Sequence, residues 1–127
     1  MDIFLEKALE SLNGAESEFV NGRYNNCANR CYYACFQAAI SALIEAGLGA
    51  SHQQWKHGFV QAQFDGILIN RRKKYPSELR GTLSLNSQLR ESADYKLIRV
   101  TRDEAARGLN RTRRFVAAIK ARVGKQK

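Results

Sequence analysis

Apolar residues recur at three- and four-residue steps along nearly the whole chain, and no useful stretch alternates with period two. The pattern therefore predicts helices and no strands. Leu5, Ala8, Leu9, Leu12, Ala15 and Phe19 form the first stripe, for a helix from about Ile3 to Val20 with Asp2 as N-cap. Asn13-Gly14 inside it marks a place to kink or shorten. Asn21-Gly22 then breaks the chain, and a second helix is expected from about Tyr24 to Ala46, ending before Gly47 and Gly49. On it Tyr24, Cys27, Ala28, Cys31, Ala34, Cys35 and Ala38 share a face, and its many alanines would let neighbouring helices come close, as in the central helix of a bundle. Ser51 is the expected cap of a third helix reaching about Asn70, with Trp55, Val60, Phe64, Ile67 and Leu68 inward. After the basic loop Arg71, Arg72, Lys73 and Lys74, Pro76 suits a new helix start. Leu79, Leu83, Asn86, Leu89 and Ala93 then share one face as far as Tyr95. Thr101 to Glu104 has the capping-box pattern and opens a last helix along Ala105, Leu109, Thr112, Val116, Ile119 and Val123, before a frayed tail from Gly124. The expected fold is all-α, an antiparallel bundle of four to five helices over residues 1–127, one domain without linker or repeat.

Composition narrows the class. A chain of 127 residues, 44% hydrophobic and 26% charged, is long enough to bury one core. No apolar run approaches the roughly 18 residues of a spanning helix. The first residues also lack the layout of a secretory signal, so the cytoplasm is the expected location and a membrane partner is not expected. Cys27, Cys31 and Cys35 fall at i, i+4 and i+8. With only two histidines and no Cys-x-x-Cys pair, they read as small buried hydrophobes and not as metal ligands or a disulfide scaffold. No metal or cofactor is expected. The sequence contains no phosphate-cradling GxxxxGK[ST], GxGxxG, HExxH or GxSxG, and carboxylates are sparse.

Charge is uneven. Residues 1–65 hold four Lys/Arg against seven Asp/Glu, net −3, and residues 66–127 hold seventeen against five, net +12. A basic half points to a polyanionic partner. Its candidate contacts are Arg71, Arg72, Lys73 and Lys74 together with Arg107, Arg111, Arg114 and Arg122, which fall near one face of the last helix. The plainer reading of such a charge run is a solvated surface.

Two segments put polar groups where helix packing prefers apolar ones. In the first, Gly22 to Phe36, the amphipathic Arg30, Tyr32 and Tyr33 stand within the apolar pattern. Their polar ends need partners once buried. The second is Arg90-x-x-Ala93-Asp94-Tyr95. With Arg23-Tyr24, Tyr32-Tyr33-Ala34-x-Phe36 and His57-x-x-Val60-x-x-x-Phe64, in this order and spacing, the chain resembles the HEPN superfamily, in particular its short stand-alone prokaryotic members. The resemblance implies a helical, homodimeric protein of nucleic-acid or nucleotide biology, the toxin-side partner of a minimal nucleotidyltransferase. Active HEPN members are metal-independent RNA endonucleases whose motif is an arginine followed, four to six residues later, by a histidine. Arginine would steady the scissile phosphate while histidine moves a proton.

This chain departs from that motif. Arg90 is followed by Asp94 and Tyr95, with no histidine, and neither His52 nor His57 has an arginine four to six residues before it. Asp94 would repel RNA phosphate unless protonated or paired, and Arg90 one turn away is its simplest partner. Arg90, Asp94 and Tyr95 thus mark a degenerate active cleft, with Arg30 and Tyr33 as further lining. His57 is the remaining titratable candidate, expected near Tyr33 or Asp94 if folding brings them together. The plain alternatives are a core or capping His57, core tyrosines, and an Arg30 that neutralises a carboxylate of a neighbouring helix. Three functions follow: an RNA- or nucleotide-binding HEPN component of a toxin–antitoxin-like pair; a non-enzymatic module that binds a nucleotidyltransferase; or a ribonuclease that uses Tyr95 or His57 for the missing histidine.

Overall fold

The structure, a computed structural model, describes residues 2–49 and 55–124. Five α-helices follow in order: α1 (Ile3–Val20), α2 (Tyr24–Glu45), α3 (His57–Gln63), α4 (Thr82–Tyr95) and α5 (Arg102–Val123), with no strand among the described residues. α2 is the centre. It packs along α1, α4 and α5 and touches α3, and thirteen of its 22 residues are buried. Its Cys27, Ala28, Cys31, Ala34, Ala38, Ala39 and Ala42 are small enough to let three helices close on it at once.

α1 begins where expected. The Asp2 carboxylate accepts from the Phe4 and Leu5 amides (2.9 and 3.0 Å), and its second oxygen accepts from Ser41 Oγ at 2.6 Å, so the cap also ties α1 to α2. The helix passes through Asn13-Gly14 unbroken. The Arg30 stem packs over Gly14, where an added Cβ would meet Arg30 Cδ at 3.5 Å; packing against α2 outweighs the local weakness.

The third and fourth helices differ from expectation. Ser51, the expected cap, lies outside the described residues. α3 starts at His57 and passes at Phe64 into a π-helical stretch, Phe64–Arg71. The wider turn keeps Phe64, Leu68 and Ile69 together on the core side. Pro76 heads only one 3₁₀ turn, Ser77–Leu79. α4 starts six residues beyond it, after Gly81 takes the left-handed conformation (φ 85°) and donates its N–H to Asp65 Oδ2 at 3.2 Å. The last helix has the expected capping box: Thr101 Oγ1 accepts from the Glu104 amide at 3.1 Å, and Glu104 Oε1 accepts from the Thr101 amide at 2.9 Å.

One polar node lies inside the core. Asn86, fully buried on α4, donates to Thr112 Oγ1 (2.9 Å) on α5 and to Cys35 Sγ (3.2 Å) on α2. Its oxygen accepts from Arg111 Nε and Nη2 (3.1 and 2.9 Å). All three cysteines are free and buried; Cys35 joins this node, and burial pushes its thiol up to about 12. Asn86→Ala leaves a cavity and strips a half-buried guanidinium of its acceptor. We expect it to lower unfolding free energy by about 2–3 kcal/mol, measured by urea denaturation.

Candidate functional site

The site grows from the α2–α4 seam. On α2, Asn29, Tyr32, Tyr33 and Phe36 occupy one stripe at helical spacing, facing Arg90 and Asp94, one turn apart on α4. Arg90 lays its guanidinium over the Tyr32 ring, 4.8 Å from the centroid. Tyr32 meets Tyr33 edge-on (5.1 Å, 79°) and lies nearly parallel to Phe36 (5.8 Å, 13°). Arg30 covers the Tyr33 ring at 5.3 Å. Arginine and aromatic side chains therefore interleave across the seam, each guanidinium held on the face of a tyrosine ring.

His57 enters from the start of α3. Its Nδ1 shares a hydrogen bond with Tyr32 Oη, and its ring packs on Tyr32 and Phe36 at 5.2 and 4.5 Å. The expected neighbours were Tyr33 and Asp94; the contact made is with Tyr32, which is 2% exposed. Burial, only partly offset by the Arg90 charge, pushes the Tyr32 phenol up to about 12, so it stays protonated at neutral pH. Desolvation, then the Arg90 charge, holds His57 below its ordinary value of 6.5, so its ring is mainly neutral at pH 7.

Asp94 is paired, which answers the repulsion expected from sequence. Its Oδ2 accepts from Asn29 Nδ2 at 3.1 Å and lies 3.6 Å from Arg90 Nη1. Asn29 Oδ1 in turn accepts from Arg30 Nε and Nη2 (3.1 and 2.7 Å). Arg30 thus reaches the carboxylate only through Asn29, and does not neutralise it directly. The approach of Arg90 to Asp94 is an ion pair too long for a hydrogen bond, and Arg90 Nε is buried without a partner. Among the described residues the Arg90 guanidinium makes no hydrogen bond, although its side chain is only 17% exposed. Tyr95 stands apart: it is 74% exposed, and none of these polar contacts reaches it.

The basic residues do not join this cluster. Arg72 Nη1 donates to the Ala46 carbonyl (3.1 Å) and Arg122 Nη1 to the Lys74 carbonyl (3.3 Å), which places Arg71, Arg72, Lys73 and Lys74 at the C-terminal end of α2. At 1.5 Å per residue that lies roughly 24 Å along α2 from Arg30. Arg111 is not part of an open basic face, because its guanidinium is committed to Asn86; Arg107 and Arg114 remain exposed. Sequence reasoning missed Asn29 and the pairing of Tyr32 with His57. The signal for Asn29 was its place one turn before Tyr32 and Tyr33 on the stripe facing α4.

An all-α bundle with an arginine–aromatic cluster at the seam of its second and fourth helices defines a class of small helical domain. Residues 1–122 match the HEPN domain, and the chain belongs to that family. No curated protein matches it. HEPN domains are linked to nucleotide and RNA biology, with ribonuclease or toxin roles, and often dimerise. No helix among the described residues is long and apolar enough to cross a membrane.

The lowered pKa of His57 has a definite sign. The unfolded chain binds its proton more readily, so stability linked to His57 is full above the unfolded value near 6.5 and declines as pH falls below it. In an NMR titration we expect the His57 ring to titrate below 6.5. Arg90→Ala should raise that midpoint only part of the way, since desolvation is the larger cause.

Proposed function

We propose that this HEPN domain binds RNA or a nucleotide through a phosphate held by Arg90, as the HEPN component of a toxin–antitoxin-like pair. The supporting observation is the state of Arg90: held on the Tyr32 ring, near a counter-ion, with its hydrogen-bond donors unspent. A guanidinium in that state matches a phosphate oxygen pair, and the flanking aromatic rings suit nucleotide binding. Asp94 balances Arg90 while the site is empty and competes with phosphate for it. The loop from Arg71 to Lys74, with Arg107 and Arg114, adds sequence-independent contact to a longer RNA backbone. On this reading the protein is a homodimer, and its partner is a minimal nucleotidyltransferase.

RNA binding followed against salt concentration tests this. We expect Arg90→Ala to weaken binding by about tenfold and to reduce the salt slope by about one. Arg90→Lys recovers only part of the loss, because an ammonium lacks the planar fork. Asp94→Asn keeps a side chain of the same shape, removes the competing charge and should tighten binding. Unchanged affinity across all three variants would sink the assignment.

A further inference from the structure

Three cations converge on a cavity that the α2–α4 seam does not use. After the π-helical stretch the Lys74 amide donates to the Leu68 carbonyl at 2.7 Å, which turns the chain back on itself. Lys73, inside that turn, takes the left-handed conformation (φ 53°), which a residue with a Cβ rarely adopts. Tyr75 then pins the loop. It is buried, its ring packs on Phe64 at 5.3 Å, and Arg122 covers that ring while donating to the Lys74 carbonyl. Beyond Pro76 and the 3₁₀ turn, Arg80 comes back to the end of the π-helical stretch, where Asn70 Oδ1 accepts from its Nε at 2.9 Å. Between loop and turn lies a cavity of about 430 Å³ whose polar lining is Lys73, Lys74, Ser77 and Arg80.

The charge in this cavity is one-sided. No carboxylate lines it, and among the described residues none forms an ion pair with Lys73, Lys74 or Arg80. Asp65 feels the Arg80 charge, but its Oδ2 accepts the Gly81 amide and it does not line the cavity. With Nε spent on Asn70, the Arg80 guanidinium is held in place, and its two Nη groups make no hydrogen bond among the described residues. Lys73 carries its charge where glycine would be unstrained, so the loop keeps a cation at a conformational cost. A concave surface of one sign concentrates its field and favours the ligand with the most charge in the least volume. We propose that this cavity is a second anion site, specific for a phosphomonoester dianion and separate from the site at Arg90. Such a group carries about −1.5 to −2 near pH 7 and exposes three acceptor oxygens, whereas a backbone diester carries about one charge. The Arg80 fork takes one pair of oxygens, Lys73 and Lys74 balance the remaining charge, and the Ser77 hydroxyl donates. Two sources carry this group: a free phosphate or small phosphomonoester, and the terminal phosphate of an RNA chain.

The test titrates the isotope-labelled full chain with sodium phosphate, and separately with dimethyl phosphate at equal ionic strength, following backbone amides by NMR. We expect saturable shifts centred on Lys73 to Arg80, with dimethyl phosphate about tenfold weaker. Arg80→Ala and Lys73→Gly should each weaken phosphate binding about tenfold. Arg90→Ala, at the distant seam, should leave it within about twofold. Lys73→Gly also separates binding from folding: its urea midpoint should stay at or above that of the wild type, because glycine accepts the left-handed backbone. An RNA oligonucleotide with a phosphate at either end is then compared with its unphosphorylated twin. Shifts at the cavity from the phosphorylated RNA alone assign the site to an RNA end. Shifts from neither RNA, with phosphate still bound, assign it to a free phosphomonoester. Shifts of equal size from both RNAs, or equal binding of phosphate and dimethyl phosphate, overturn the proposal and leave a solvated basic surface. A phosphate response kept in Arg80→Ala and Lys73→Gly but lost in Arg90→Ala also overturns it, and places the anion at the seam.

Discussion

Everything at the α2–α4 seam depends on how α4 is rotated, and Asn86 sets that rotation. Its amide is committed to Thr112 and Cys35 and its oxygen to Arg111, so three helices hold one buried side chain. A helix fixed at one residue is fixed at those four and eight places on. Arg90 and Asp94 stand at those places, which delivers one to the Tyr32 ring and the other to Asn29. A buried polar node is costly unless every member is satisfied, and here each is. The core network and the surface cluster are thus two ends of one stripe on α4.

That stripe also explains how a cation can be kept nearly buried without being neutralised. The Tyr32 face gives Arg90 a flat, electron-rich surface, and Asp94 gives it a counter-charge at 3.6 Å, without an optimal hydrogen bond. A closer pair would have been more stable and less able to take a phosphate, since the anion would then have to displace a full bidentate bond. Asn29 keeps Asp94 back by supplying the hydrogen bond that Arg90 does not. The basic loop at the far end of α2 belongs to a different surface, where Arg72 and Arg122 are partly spent on backbone carbonyls.

Much of this fold was legible in sequence, because it follows local rules. α1, α2 and α5 begin and end where caps and glycines place them: Asp2, Gly47 and the Thr101–Glu104 box act through neighbours in the chain. The failures lie where tertiary packing overrides such rules. Gly14 did not break α1, because Arg30 packs over it. The π turn from Phe64 and the delayed start of α4 reflect buried contacts and the bond from Gly81 to Asp65, which no periodicity announces. The site was legible in its parts: Arg30, Tyr33, His57, Arg90 and Asp94 all lie in or beside the cluster. What the sequence could not give was connectivity. Tyr32 and His57 are 25 positions apart, and Arg111 carries the same charge as its neighbours although its side chain turns inward to Asn86.

The place of His57 follows from the same geometry. A histidine four to six residues after Arg90 would stand at positions 94–96, at the very end of α4, where Tyr95 is 74% exposed and the helix stops. His57 instead comes from another helix onto a ring already buried under Arg90, so desolvation and the arginine charge act on it together. Asp94, left in the motif position, takes the separate task of balancing Arg90. The imidazole and the counter-charge of Arg90 are thereby supplied by residues of different helices, α3 and α4, and Tyr32 of α2 meets both His57 and Arg90.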